Sequence, residues 1–170
     1  MYPEIDLGPL TLQTFGLLTA LAFIASGWII ALRLRELDAP VDWAYEIVLA
    51  AQEAALEVSR PGNTLDDVHE AALRALVQGM IDLKLLTGSL DDAIQSGAYK
   101  TFYMHRTSHW LGLDVHDVGA YTVDGKPRPL APGIVFTVEP GLYVPLREEK
   151  APAHLRGIGV RIEDDVVVTD

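Results

Sequence analysis

The sequence contains no cysteine. A disulfide framework and a thiolate metal site are both excluded, so any metal must sit on imidazole and carboxylate. Basic residues are scarce, 13 Lys and Arg against 24 Asp and Glu, for a formal net charge of −11. Nucleic acid is therefore not an expected partner, because phosphate binding needs a basic face. Charge is missing altogether from Leu7 to Leu32. As a helix, Leu10 to Leu32 would span about 33 Å at roughly 1.5 Å per residue, enough to cross a bilayer core. Glu4 and Asp6 precede this run and Arg33 and Arg35 follow it. That order is wrong for a signal peptide, which wants a basic start and a shorter apolar stretch. The arginines place the N-terminus outside and everything after Arg33 in the cytoplasm. A single-pass membrane helix over about 10–32 is expected, in a segment 1–40 that precedes a domain 41–170.

Beyond the linker Asp38-Ala-Pro-Val-Asp42, periodicity predicts a helix from Trp43 to Ser59, with Ile47, Leu49, Ala50, Ala54 and Leu56 as candidates for burial. Arg60-Pro-Gly-Asn63 reads as a turn. Thr64-Leu-Asp-Asp67 has the form of a capping box, and Leu65, Val68, Ala72, Leu76 and Met80 recur at helical spacing behind it. Ser89-Leu-Asp-Asp92 starts a third, shorter helix. After Thr101, glycine, proline and β-branched residues increase. Ile134 to Val138 and Leu142 to Val144 are strand candidates. The run from Gly157 to Val168 alternates in its first half, which puts Arg161 and Glu163 on one face. Helices followed by a mostly antiparallel sheet make an α+β fold. Such a sheet is expected to have an exposed edge, a route to self-association.

His105, His109 and His116 lie within a glycine-bearing, loop-like stretch. Glu139 and Glu163 are embedded among strand residues, where an inward carboxylate needs a partner. Imidazole with two carboxylates is a sensible set of ligands for Mn, Co, Fe or Zn. The same residues also suit a set of satisfied polar side chains in turns. His69, on the amphipathic second helix, reads as an ordinary surface or core residue, and His154 carries no assignment.

Three stretches add to this reading: Phe102 to Gly119 (FYMHRTSHWLGLDVHDVG), Leu130 to Tyr143 (LAPGIVFTVEPGLY) and Arg156 to Asp165 (RGIGVRIEDD). With them, the chain from about Tyr45 resembles the C-terminal catalytic domain of aminopeptidase P, the Xaa-Pro aminopeptidases of the pita-bread metallopeptidase family. The resemblance implies an enzyme that removes an N-terminal residue preceding proline. It implies that His109 and Glu139 bind one metal of a pair and that Glu163 bridges both. His116 would steady the substrate carbonyl, Glu139 would also shuttle a proton, and His105, His116 and Arg161 would line the substrate pocket. The implied cofactor is a divalent metal, manganese first, with cobalt or zinc as alternatives.

The resemblance also implies two aspartate ligands on a hairpin ahead of Tyr45, where this chain carries its apolar run. With three ligands of five, one ion or none is expected rather than two. A second resemblance covers Ile5 to about Val48, which is similar to the start of prolipoprotein diacylglyceryl transferase. The two overlap at Tyr45-Glu-Ile-Val48, which suggests a join. Three readings stand at this point: a metallo-aminopeptidase with an incomplete metal site, an inactive membrane-tethered chimera, and a lipid-modifying transferase that lacks its active-site segments.

Overall fold

A computed structural model describes residues 4–7, 10–13, 24–26 and 41–169 of the chain. It divides into two compact units, Met1–Ala39 and Pro40–Asp170. In the first, β1 (Glu4–Leu7) pairs antiparallel with β2 (Leu10–Gln13), with Ile5 opposite Leu12. This corrects the expected helix start at Leu10. Gly8-Pro9 is a turn signal between two short alternating runs, and the strand pairing satisfies the backbone that a helix start would leave open. Residues 24–26 are helical, and the rest of the expected membrane helix lies outside the described residues. Among the described residues, no helix is long and apolar enough to cross a membrane.

The second unit opens with α1 (Val41–Val58) and α2 (Leu65–Asp82), packed against each other. The capping box expected at Thr64 is formed. Thr64 Oγ1 accepts from the Asp67 N–H, and Asp67 Oδ2 accepts from the Thr64 N–H at 2.8 Å. Leu65, Val68, Ala72, Leu76 and Met80 are all buried, as their spacing predicted. The buried stripe of α1 is instead Ala44, Val48, Ala51 and Ala55 with Gln52, while Ala50 and Leu56 are exposed. The helical period was legible but the buried face was misplaced. The residues of α1 that are most fully buried are small, while the larger Ile47 is half-buried and meets α2 at Gly79. α3 (Leu90–Ser96) is capped by the Ser89 hydroxyl and ends on Gly97 at φ 71°, a left-handed position suited to glycine.

Four strand pairs are described, all antiparallel. β1–β2 stands in the first unit. In the second, β3 (Thr122–Val123) pairs with β4 (Lys126–Pro127), β5 (Val135–Val138) with β8 (Asp164–Val167), and β6 (Gly141–Tyr143) with β7 (Gly159–Arg161). The expected single strand from Gly157 to Val168 is thus two strands, interrupted at Ile162 and Glu163. Across from that gap lie Glu139 and Pro140. Proline has no N–H for the ladder, so the pairing opens there. Val138 faces Asp164 on one side of the gap and Gly141 faces Arg161 on the other. The register is the same on both sides. Glu139 therefore stands opposite Glu163, and Pro140 opposite Ile162, whose N–H reaches the Pro140 carbonyl at 3.3 Å.

Residues 107–111 run along the other edge of β5. Glu139 N–H bonds to Thr107 O at 2.8 Å, Thr137 N–H to His109 O at 3.0 Å, and Leu111 N–H to Val135 O at 3.2 Å. α1 packs on β5, β6 and β7 from below. Its buried Gln52 donates to Asp164 Oδ2 at 2.9 Å, tying the helix to the start of β8.

α2 meets the Ile47 side chain of α1 at Gly79. A Cβ there would run into the Ile47 side chain at its branch point, where a helical isoleucine has little freedom to move. Gly79→Ala should therefore lower stability by about 1–3 kcal/mol through overpacking, although alanine favours an exposed helix by about 1 kcal/mol over glycine. Urea unfolding of the variant measures this, and Ile47→Ala in the same chain should recover part of the loss.

Candidate metal centre and substrate pocket

His109, Glu139 and Glu163 converge: one ligand atom from each lies within 4.8 Å of the other two. The fold brings them from three adjacent strands. His109 sits on the 107–111 segment, Glu139 at the end of β5, and Glu163 at the gap before β8. Glu139 is buried and Glu163 exposed. Two carboxylates directly opposite each other on neighbouring strands repel and destabilise the pair unless a positive charge lies between them.

The proton positions around His109 sharpen the point. Its Nδ1 lies 3.0 Å from the Trp110 carbonyl, which can only accept, so Nδ1 carries hydrogen. Its Nε2 then faces Glu139 Oε1 at 3.3 Å. In the neutral tautomer these are two acceptors aimed at each other, so a proton or a metal cation must come between them. One imidazole nitrogen and two carboxylates, with Nδ1 held by a carbonyl, form a donor set that fits a single divalent ion.

The other oxygen of Glu139 accepts from Arg161 Nη1 at 2.9 Å. Arg161 Nε donates to the Tyr143 hydroxyl at 2.8 Å, and this bond raises the pKa of the guanidinium further. His105 closes the group. Its Nδ1–H donates to the Arg106 carbonyl at 2.8 Å, so Nε2 accepts, from Tyr143 O–H at 3.0 Å and from Arg161 Nη2 at 3.2 Å. The hydrogens of the group are consistent without any change of charge. Tyr143 is the member that sequence reasoning missed. It lies four residues after Glu139, in the same Leu130–Tyr143 stretch, and it meets Arg161 only across the pairing of β6 with β7.

His105, His109, Glu139 and Arg161 line a cleft of about 540 Å³ together with His116. The His116 ring lies 4.3 Å from that of His109 and is exposed to the cleft. The residues expected at the site, His105, His109, His116, Glu139, Glu163 and Arg161, are thus gathered in one region.

With that geometry in view, the family comparison is decisive: the profile of metallopeptidase family M24 matches residues 27–170. The chain belongs to metallopeptidase family M24. The Xaa-Pro aminopeptidase of Escherichia coli K12 is 48% identical over 126 residues, which is 74% of this chain and 28% of that protein. The Haemophilus influenzae enzyme of the same name is also 48% identical, over 74% of this chain and 29% of its own length. Among solved structures, Pseudomonas aeruginosa aminopeptidase PepP superposes with a TM-score of 0.73 at 51% identity, covering 75% of this chain and 29% of that one. Zinc-substituted E. coli aminopeptidase P in complex with product gives 0.70 at 47% identity, over 75% and 28%. The M24 chain thus spans under a third of the length of these relatives. The α+β fold of aminopeptidase P, expected for the second unit, is the fold these neighbours share with it. The M24 match reaches back to residue 27, well ahead of Tyr45, into the stretch read as similar to the transferase.

Behind the cleft, His69 of α2 is more than an ordinary helix residue. Its Nδ1 lies 2.9 Å from Thr107 Oγ1 and 3.3 Å from the Thr107 N–H, and the buried Tyr103 hydroxyl lies 2.7 Å from the same Oγ1. Burial, helped by the nearby Arg106, lowers the His69 pKa from 6.5 to about 4, and burial pushes the Tyr103 phenol up. The folded chain therefore resists a proton on His69 that the unfolded chain accepts. Its contribution to stability is full above pH 6.5 and is lost as the pH falls towards 4. Urea midpoints measured between those limits should fall more steeply for the wild-type chain than for His69→Asn. Equal slopes would show that His69 is not buried as a neutral ring.

Proposed function

We propose that this chain carries part of the metal and substrate site of an Xaa-Pro aminopeptidase. The observation that supports this best is the pair Glu139 and Glu163, opposed across a strand gap with His109 beside them. His109 Nε2, Glu139 and Glu163 would hold a divalent ion, manganese first by resemblance, with cobalt or zinc as alternatives. When bound, such an ion lowers the pKa of a coordinated water and polarises a carbonyl oxygen. The chain's own residues supply the rest. His116, exposed in the cleft beside His109, is free to donate a hydrogen bond to the carbonyl of a peptide. Glu139, gripped on one oxygen by Arg161 and turned towards the ion with the other, would also pass a proton to the leaving amine, as the resemblance implies. Arg161, Tyr143 and His105 form a wall of fixed hydrogens against which a peptide with proline at its second position would be placed.

Three ligands converge among the described residues where the resemblance implies five. With two negative charges fewer, a second cation would be held weakly against the repulsion of the first. On its own the 170-residue chain should therefore bind one ion and turn over poorly. Hydrolysis of an Xaa-Pro peptide with added Mn²⁺ tests this beside His109→Ala. Turnover below about a hundredth of the median enzymatic rate of roughly 10 per second, abolished by His109→Ala, is the expected outcome. A rate nearer the median would mean that other carboxylates complete the site.

We also propose single-span membrane attachment through the part of the uncharged 10–32 run that follows β2, with the M24 unit cytoplasmic. Its support is the sequence alone: the uncharged run with arginines at its end. Nineteen residues give about 28 Å at roughly 1.5 Å per residue, close to a bilayer core of about 30 Å. Reporter fusions should place residue 170 inside, and an outside signal or release by alkaline carbonate would contradict the topology. Self-association through the free edge of β8, which has no second strand partner among the described residues, belongs with these proposals. So does a join near residues 45–48, which resequencing of the locus would test.

A further inference from the structure

The hydrogen bonds behind the metal ligands converge on one residue, Thr107. It is fully buried, so its polar atoms have no water to turn to. Its carbonyl accepts the Glu139 N–H at 2.8 Å. An antiparallel neighbour would ordinarily return a second bond from its own N–H to the facing strand. Here the Thr107 N–H goes to His69 Nδ1 instead, at 3.3 Å. A nitrogen that receives an N–H carries no hydrogen itself, so His69 is the neutral ring protonated on Nε2. The hydroxyl hydrogens then run in one direction, from Tyr103 to Thr107 Oγ1 and from Thr107 to His69 Nδ1. The same helix holds the preceding residue as well, through the Asp66–Arg106 ion pair.

We propose that His69 is a positioning residue, whose Nδ1 stands in for the missing ladder acceptor of Thr107 and so places His109 and Glu139 for metal binding. The geometry is a relay of three contacts: His69 to Thr107, Thr107 to the backbone of Glu139, and the 107–111 segment to Thr137. Thr137 in turn takes the His109 N–H on its Oγ1 at 3.2 Å and reaches Glu139 Oε1 at 3.4 Å. Without an acceptor at His69, the Thr107 N–H is buried and unpaired. The segment then gains by shifting away from α2, and it carries His109 with it. A purely packing role for His69 would be filled by any side chain of similar size, whereas this role needs an acceptor at the Nδ1 position.

The inference rests on the metal reading above, and its test separates the two. Asparagine at this position puts an amide oxygen where Nδ1 lies; leucine fills space without an acceptor; glutamine places its amide further out. Co²⁺ affinity is read by visible absorbance for wild type, His69→Asn, His69→Leu and His69→Gln. His69→Asn should stay within about threefold of wild type, and His69→Leu and His69→Gln should bind about 10–100-fold more weakly, the usual cost of losing a partner behind a metal ligand. The amide resonances of Thr107, His109 and Glu139 are followed in the metal-free chain of the same set. They should move in the leucine and glutamine variants and hold in the asparagine variant. If the wild-type chain takes up no Co²⁺, the metal reading fails while the resonances still decide the role of His69. Wild-type affinity and unmoved resonances in His69→Leu would overturn the proposal, as would an asparagine variant no better than leucine. If the leucine variant does not fold, the glutamine variant carries the same comparison.

Discussion

Two carboxylates of like charge face each other across an opening in the sheet, and much of the surrounding structure serves to hold them there. Glu139 and Glu163 share a register position set by the pairs on either side of Pro140. A proline at that point removes one ladder donor and lets both strands part. In a chain with a net charge of −11, such a pair is costly unless cations answer it. One answer is built in, the Arg161 guanidinium on Glu139 Oε2. The other side of Glu139 faces His109 Nε2, acceptor to acceptor. That contact, with Glu163 as a third ligand beside it, is the physical reason for reading the site as a metal centre.

The helices contribute through a few directional bonds more than through contact with the cleft itself. Gln52 holds the start of β8 next to Glu163, and His69 holds Thr107 behind His109. α1 and α2 pack against each other, with Gly79 of α2 leaving room for the Ile47 side chain. The group proposed to face a substrate is a separate layer. His105, Tyr143 and Arg161 fix one another's hydrogens, so a peptide would meet a surface already ordered, with little side-chain entropy left to lose on binding.

Much of this was legible in the sequence, and the gaps have physical reasons. The second helix could be placed residue by residue, because its cap and its large apolar stripe point the same way. The buried face of the first helix could not. Alanines stand on both its sides, so apolar spacing there did not single out the face that is buried. The break at Ile162 and Glu163 was hidden because alternation continues through it, and only the proline on the partner strand opens the ladder. His109, Glu139 and Glu163 were identified from motif and chemistry, and the structure brings them together. Tyr143 and His69 were not found, since each acts through a contact across strands or layers that spacing along one chain does not encode. At the N-terminus, absence of charge outweighed the Gly8-Pro9 turn signal, and a strand pair stands where the helix was expected to begin.

The central claim is that Glu139 and Glu163 repel until a cation joins them. Thermal unfolding of wild type and Glu163→Gln, each with and without Mn²⁺, tests it most directly. Without metal, the glutamine variant should be the more stable by about 0.2–1 kcal/mol, the usual scale of an opposed cross-strand charge pair. With metal, wild type should gain stability and the variant should gain little, so that their order reverses. A metal-free variant less stable than wild type, or an equal metal-dependent gain in both, would contradict the account.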